Sequence, residues 1–316
     1  MRTERFGRRA IACFLVLCLP ILAGCGLASR TSESVDGVHS ALPVVVSIAP
    51  LASLVERIGG DLVHADILVA PGQGPHTFTP KPKQIMALGE AAVYFHVGGF
   101  AFEGELADRI QSNFPELVVC NASEGIDRTQ AVPHLHADEH GGDDAHDHDD
   151  GADPHVWMAP PQLMVMAENI AEALQAVDGG HAAAYEKNLN AVKSELAELH
   201  TELAQLLQPH KGRTFYIYHP ALGYFAETYG LEQESVEVGG QKPTPRQLQR
   251  LIEQAQEDQV RIIFVQPQFD QRSAEAVADA IDGKVVPLDP LREDVFTNLR
   301  EIARRMVDVF SAEDPS

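Results

Sequence analysis

The sequence contains little cysteine. Only four of its 316 residues are cysteines, and they are Cys13, Cys18, Cys25 and Cys120. The first two belong to an apolar segment at the N-terminus and the third follows it directly, so Cys120 alone remains in the rest of the chain. A framework of intrachain disulfides is therefore excluded, and burial of apolar side chains must stabilise the fold.

Basic residues are also scarce. The chain has 24 Lys and Arg against 46 Asp and Glu, which gives a formal net charge of -22. This charge excludes nucleic acid and anionic lipid surfaces as partners, because both repel an acidic chain. The field of such a protein concentrates cations instead.

The sequence has only one long apolar run, at the N-terminus. Four arginines precede IACFLVLCLPILAG, which is too short to span a bilayer and so favours a secretory signal over a membrane anchor. The end of the run, Leu22-Ala23-Gly24-Cys25, resembles a bacterial lipoprotein lipobox. This resemblance implies that residues 1–24 are removed, that Cys25 carries a lipid anchor, and that residues 25–42 tether an extracytoplasmic protein to the membrane.

The middle of the chain is rich in residue types that bind metal ions. Five histidines and five acidic residues lie within residues 134–148, and the histidines are His134, His136, His140, His146 and His148. Imidazole and carboxylate bind Zn²⁺ and its first-row neighbours, and a tract this polar cannot form a core. The composition predicts a disordered loop that collects metal ions, with an acidic linker or an affinity tag as alternatives.

Short β-branched runs alternate with helical patterns on both sides of this tract. Four strands are predicted between Leu42 and Cys120, and four more after Lys211, one of them at SVEV, residues 235–238. Apolar strands separated by helices predict parallel sheets that are covered on both faces. The expected fold class is α/β with two lobes, over residues 43–180 and 209–316.

A long helix is predicted to connect the lobes over residues 181–208. Its apolar residues, from Tyr185 to Leu206, recur at a spacing of 3 to 4, and VDGG at residues 177–180 separates it from a preceding helix. At 1.5 Å per residue it would be roughly 40 Å long, enough to run along both lobes and restrict hinge opening. A coiled-coil dimerisation helix is the alternative, but a stripe of under four heptads favours a monomer.

Three single histidines and one aspartate stand where a parallel sheet binds ligands. His76 follows a strand in PGQGPHTFTPKP, His155 lies in ADPHVWM, His219 ends TFYIYH, and Asp289 follows KVVPL. Loops at the carboxyl ends of strands converge on one crevice, so these four side chains are expected to form a metal site. Each of them alone would also fit a solvated loop. His96, inside VYFHVG, is interpreted as a hydrogen-bonded core or interface histidine and not as a ligand.

Several motifs together resemble the solute-binding proteins of zinc and manganese ABC importers, the ZnuA/TroA-like cluster. They are the lipobox, DPHVW after a His/Asp tract, the long connecting helix, YHPALGYFAETYGL and VVPLDPL, within a span from Pro43 to Phe310. The resemblance implies two α/β lobes joined by a rigid helix, a metal ion between them, a membrane permease that receives the ion, and no catalysed reaction. Carried over by motif, the family's ligands fall on His76, His155, His219 and Asp289.

Three departures from the family pattern lie near this site. The chain has Pro75 and Thr79 where many members have an acidic residue, and VQPQF with Gln266 where many have Glu-Pro-Gln. The usual Asp-Pro-Leu-Gly ends here in Arg292, beside the fourth candidate ligand. Water or a histidine of the tract is therefore an alternative fourth ligand.

Three imidazoles favour zinc as the bound ion. Manganese sites of this family use more carboxylate, with a glutamate where this chain has His219. The sequence predicts an extracytoplasmic receptor that captures Zn²⁺ for an importer, with Mn²⁺ as the alternative ion. A metal buffer or adhesin without a transporter stays open, whereas a zinc hydrolase would need a general base, and the sequence has no HExxH.

Overall fold

The computed structural model describes residues 41–128, 153–237, 244–258, 260–269 and 272–313. The predicted signal, Cys25 and the five histidines of the tract lie outside these ranges. Within them, no helix combines the length and the apolar character needed to cross a membrane.

Four parallel strands form the first sheet. They are β1 (Leu42–Val46), β2 (Val63–Ile67), β3 (Val93–His96) and β4 (Val118–Asn121). Their order in the sheet is β2-β1-β3-β4, and the helices between them are α1 (Ala49–Gly59), α2 (Pro82–Leu88) and α3 (Ala101–Asn113). Val44, Val45 and Val46 of the central strand β1 and all of its neighbour β3 are buried, because helices cover both faces of a parallel sheet.

The second sheet repeats this arrangement. Its strands are β5 (Thr214–Ile217), β6 (Glu232–Ser235), β7 (Ile262–Val265) and β8 (Lys284–Pro287), in the order β6-β5-β7-β8. Its helices are α6 (Gly223–Tyr229), α7 (Pro245–Glu257), α8 (Arg272–Ala280) and α9 (Val295–Glu313). The predicted α/β class with two lobes is confirmed.

The predicted strand at SVEV is wrong in position. The strand of that region, β6, begins at Glu232 and ends at Ser235. Gly230 ends α6 in the left-handed conformation, with φ 69°, and turns the chain directly into pairing with β5. Because β6 is an edge strand, it accommodates glutamates that obscure the apolar pattern.

Two helices connect the sheets, α4 (Pro160–Val177) and α5 (Ala182–Leu207). The 26 residues of α5 span about 39 Å. Its buried stripe comprises Tyr185, Leu189, Val192, Leu196, Leu199, Leu203 and Leu207. The helix packs against α1 and α4 beside the first sheet and against α6 and α9 beside the second, so the stripe is used within one chain and not in a coiled coil.

A single hydrophobic core extends across both lobes. It includes Val46 and Phe95 of the first sheet, Leu199 of α5, and Phe264 and Phe296 from the second lobe. A smaller cluster, which includes Tyr216, Ile263 and Val277, covers the other face of the second sheet. Separating the lobes would expose this shared core to water, so the fold resists a wide hinge opening.

Candidate metal centre

Three imidazole rings from different parts of the chain meet between the two sheets. The Nε2 atom of His219 lies 3.0 Å from Nε2 of His76 and 3.3 Å from Nε2 of His155. In the remaining pair, Nε2 of His76 lies 3.4 Å from Nε2 of His155. Among the described residues, these three form the group whose potential ligand atoms all lie within 4.8 Å of one another.

His155 is held by the aspartate two residues before it. Asp153 Oδ1 accepts hydrogen bonds from the backbone N–H of His155 at 2.8 Å and from its ring nitrogen Nδ1 at 2.7 Å. Both side chains are buried, at 5% and 6% exposure. Because a carboxylate only accepts, Nδ1 carries the hydrogen and Nε2 presents a lone pair to the centre of the cluster.

His219 is fixed at both its ring and its backbone. Its Nδ1 donates to Glu237 Oε2 at 2.5 Å, so its Nε2 also faces the cluster as a lone pair. The Gln266 amide accepts from the backbone N–H of His219 at 3.2 Å and donates to its carbonyl oxygen at 2.6 Å. Burial lowers the pKa of His219, although the carboxylates of Glu237 and Asp153 act in the opposite direction.

His76 belongs to a more open part of the molecule. It lies in a short 3-10 turn, Pro75–Thr77, at the end of a loop in which Gly72 has a φ of 82°. The residue as a whole remains exposed, but its ring faces the other two imidazoles. Desolvation of the ring, followed by the proximity of His155 and His219, lowers its pKa far below the usual range. The imidazole is therefore neutral, as a metal ligand must be.

Aromatic side chains surround the three imidazoles. Phe269 stacks on His219 with ring centroids 4.7 Å apart, and Phe100 packs edge-on against His76 at 5.0 Å. Trp157 lies 5.3 Å from His155, and its Nε1 donates to the carbonyl of Pro290 in the second lobe. These rings exclude water from the cluster on several sides and limit rotation of the imidazoles.

The spacing of the three nitrogen atoms suits a tetrahedral zinc ion. With Zn–N bonds of about 2.0 to 2.1 Å, adjacent ligands of a regular tetrahedron are separated by about 3.3 Å. The observed separations of 3.0, 3.3 and 3.4 Å lie close to that value. The lone pairs of His155 and His219 face one another and repel, and a cation between the three nitrogen atoms would convert this repulsion into coordinate bonds.

Asp289 lies outside the imidazole cluster. It follows β8 as predicted, but its Oδ1 accepts hydrogen bonds from Gln268 Nε2 at 2.8 Å and from the backbone N–H of Leu291 at 3.0 Å. It is not in the group of close ligand atoms, so its role as fourth ligand stays a prediction. The guanidinium of Arg292 pairs with Glu301.

His96 differs from its interpretation as a hydrogen-bonded core residue. It ends β3 and is only 9% exposed, yet its Nδ1 has no hydrogen-bond partner among the described residues. Its ring stacks on Tyr94, with centroids 5.5 Å apart. Burial lowers the pKa of His96, which keeps the ring neutral in this apolar setting.

Two important residues were missed in the sequence. Asp153 could have been found, because an aspartate two positions before a candidate ligand is suited to hold it through a local Asx hydrogen bond. Glu237 lies in the segment SVEV, which was assigned to a strand. Glu237 lies two residues beyond β6, at the carboxyl edge of the sheet, where ligand-binding side chains are expected. It was missed because the strand was predicted to include it.

Comparison with known proteins identifies the family. Two α/β lobes, each with a parallel sheet, are also the architecture of the solved metal-binding proteins that this chain resembles. The model of the family "Zinc-uptake complex component A periplasmic" (ZnuA) matches residues 44–309. The chain therefore belongs to the ZnuA family.

Relatives within this group carry names for zinc and for manganese. The high-affinity zinc uptake system protein ZnuA of Bacillus subtilis is 28% identical over 284 residues, which cover 89% of this chain and 86% of that protein. The manganese ABC transporter substrate-binding lipoprotein scaA of Streptococcus gordonii is 27% identical over 275 residues, with 84% of each chain covered. A crystal structure of ZnuA superposes with a TM-score of 0.76 and 34% identity, over 85% of this chain and 99% of that one.

Proposed function

We propose that this protein is an extracytoplasmic receptor that captures Zn²⁺ and delivers it to an ABC-type importer. The observation that carries the proposal is the cluster of three facing Nε2 atoms, each within 3.4 Å of the other two. His155 and His219 present lone pairs at a separation that a shared cation can bridge. In this proposal His76, His155 and His219 are the metal ligands, and the protein catalyses no reaction.

The fourth coordination position is assigned to Asp289 in this proposal. To reach the ion, its carboxylate would have to exchange the hydrogen bonds with Gln268 and Leu291 for a coordinate bond. A water molecule is the alternative, because it requires no rearrangement. Both completions keep the ion four-coordinate, which is the geometry that zinc favours.

Zinc is preferred over manganese because of the ligand types. Imidazole suits Zn²⁺, whereas Mn²⁺ favours carboxylate, carbonyl and water oxygen in six-coordinate sites. The described cluster offers three nitrogen atoms. The carboxylates next to it already accept hydrogen bonds from the imidazoles. Mn²⁺ is nevertheless the second candidate, because relatives of comparable identity are named as manganese-binding lipoproteins.

The remaining parts of the proposal rest on residues outside those described. A lipid on Cys25 would anchor the protein outside the cytoplasm, and relatives named as lipoproteins support this. The predicted tether ends earlier than residue 42, because Leu42 already belongs to β1, and residues 25–40 would link the anchor to the lobes. The histidines of residues 134–150 would collect zinc near the cleft. A monomer is expected, with a membrane permease as its partner.

Metal affinity of histidine variants tests the proposal. The single variants His76→Ala, His155→Ala and His219→Ala are titrated with zinc in competition with a chromophoric chelator. Each is expected to bind zinc weaker by orders of magnitude, because a ligand has been removed from a site with few donors. Circular dichroism should remain nearly unchanged.

His64→Ala is the matched control. His64 is exposed and its nearest partner is the equally exposed Asp66, at 3.8 Å, so its loss should leave zinc affinity unchanged. Zinc affinity equal to wild type in all three cluster variants would refute the metal centre. Tighter binding of Mn²⁺ than of Zn²⁺ by the wild type would change the assigned ion and keep the site.

A further inference from the structure

Two buried carboxylates flank the imidazole cluster, one from each lobe. Asp153 precedes α4 beside the first sheet, and Glu237 follows β6 of the second. Both are about 5% exposed, and each contacts the Nδ1 atom of one imidazole, at 2.7 and 2.5 Å. No other carboxylate among the described residues makes such a contact with the three rings.

The first consequence of these contacts is orientation. A hydrogen bond at Nδ1 fixes the tautomer, so the lone pairs of His155 and His219 are directed at the cluster before any ion arrives. His76 has no such partner at its Nδ1 among the described residues and is positioned by ring contacts with Phe100 and the other imidazoles. The two lobes therefore each supply one oriented ligand, and the exposed turn supplies the third.

The second consequence concerns charge. Burial of a dication in surroundings of low polarity is costly unless opposite charge is close. Three neutral imidazoles supply none, and Asp289 lies outside the cluster and is hydrogen-bonded to Gln268 and Leu291. The carboxylates of Asp153 and Glu237 are separated from the ion position by one imidazole ring each, and together they carry two negative charges.

We propose that Asp153 and Glu237 are positioning residues that also neutralise the bound dication, and so make the site selective for divalent over monovalent ions. This inference rests on the proposed function. With both carboxylates present, water as the fourth ligand and Asp289 retained by Gln268 and Leu291, a Zn²⁺ ion and its surroundings are electrically neutral, whereas a monovalent ion leaves a buried negative charge. The imidazoles themselves cannot make this distinction, since they also bind soft monovalent ions.

A purely structural role for these residues is the competing explanation. Asp153 also accepts the backbone N–H of His155, and Tyr224 donates to the Asp153 carbonyl, so its loss could simply misplace the ligand. Misplacement of the ligand weakens the binding of every metal ion to a similar degree. Loss of charge weakens the binding of a dication more than that of a monovalent ion, because Coulomb energy is proportional to the charge of the ion. The loss of affinity for a divalent ion, compared with the loss for a monovalent ion, therefore distinguishes a charge effect from misplacement of the ligand.

The test uses the full-length protein with the single variants Asp153→Asn and Glu237→Gln. Each keeps an oxygen acceptor for Nδ1 and removes one charge. Zn²⁺ affinity is expected to fall about 10- to 100-fold, the usual effect of mutating the carboxylate partner of a metal-bound histidine. Affinity for Ag⁺, a soft monovalent ion, should fall only by about the square root of that factor, roughly 3- to 10-fold, because the attraction is half as large.

Two further variants complete the design. Asp66→Asn makes the same chemical change next to the exposed His64 and should alter neither affinity. Glu237→Asp keeps the charge while shortening the side chain, and should recover at least half of the zinc affinity, on a logarithmic scale, that Glu237→Gln loses. A role in packing alone predicts no such recovery.

The outcomes are distinct. Equal losses for Zn²⁺ and Ag⁺, zinc affinity unchanged in both neutral variants, or no recovery in Glu237→Asp would each overturn the charge assignment. Failure of the wild type to bind one zinc ion that is lost in His155→Ala would instead refute the proposed function. Because each single variant is scored separately, the inference does not depend on the folding of a double variant.

Discussion

Replacement of Gln266 by methionine isolates the contribution of one side chain to the geometry of the metal centre. The side chain of Gln266 is completely buried. Its amide accepts a hydrogen bond from the backbone N–H of His219 and donates one to the carbonyl oxygen of the same residue. Methionine is similar in size and flexible, so the substitution removes the two hydrogen bonds and leaves little empty volume. The backbone N–H of His219 then loses its partner in a buried environment, whereas its carbonyl oxygen keeps the hydrogen bond from the N–H of Ala221.

The expected effect follows from the orphaned N–H of His219. A buried backbone group that loses its only partner costs about 1 to 3 kcal/mol, so Gln266→Met should lower the free energy of unfolding by about 1 to 3 kcal/mol. Part of this cost can be relieved if the His219 segment shifts towards water. Such a shift moves Nε2 away from the other imidazoles, and each 1.4 kcal/mol of lost zinc binding appears as a tenfold weaker affinity.

Urea denaturation followed by circular dichroism and a chelator competition for zinc are measured side by side. Gln233→Met is the control, because Gln233 is also buried and accepts the N–H of Leu222, but does not touch an imidazole. Both variants should lose stability, and only Gln266→Met should lose zinc affinity. Equal zinc affinities in the two variants would refute the reasoning, because the hydrogen bonds to His219 would then have no effect on the ligand.

Three other predictions follow. Because α5 and the shared core resist hinge opening, small-angle scattering should detect only a small difference between apo and zinc-bound protein, and a large closure would contradict this architecture. Deletion of residues 134–150 should remove weak zinc equivalents and keep one tight equivalent in calorimetric titration; loss of the tight one would place the primary site in the tract. The pKa of His76 and of His219 is lowered in the fold, so below about pH 6.5 the unfolded chain takes up more protons and the stability of the apo protein should fall as pH is lowered. Urea melts across that range test this, and an equal fall in the His76→Ala/His219→Ala double variant would contradict it.

The fold could be predicted wherever a periodic pattern depended on burial. The stripe of α5 and the apolar runs of β1, β3 and β7 are buried as their spacing indicates, because interior positions accept few residue types. β6 was misplaced since an edge strand is only partly buried and tolerates Glu232 and Glu234. Its limits depend on Gly230 and on pairing with β5, and neither is visible as periodicity.

The candidate site could be predicted in part for a different reason. His76, His155 and His219 stand in short motifs whose positions after strands indicate convergence at one edge of each sheet. Glu237 and Gln266 act through His219, from segments 18 and 47 residues further along the chain. Such contacts depend on which strands are neighbours in space, and a single sequence does not contain that information. Asp289 shows the converse, since its position after β8 is as expected while its hydrogen bonds direct it to Gln268.

The chain contains one tryptophan, and it is the residue beside the metal centre. When the protein is excited at ultraviolet wavelengths that tyrosine hardly absorbs, nearly all of its fluorescence comes from Trp157. The centroid of this ring lies 5.3 Å from that of His155. Zn²⁺ has a filled d shell and no redox chemistry, so it leaves the indole emissive and alters only its surroundings. An open-shell ion such as Cu²⁺ at the same position quenches the emission. If the proposed site holds the ion, the unlabelled protein would report by its own fluorescence both that an ion has bound and whether the electronic shell of that ion is closed.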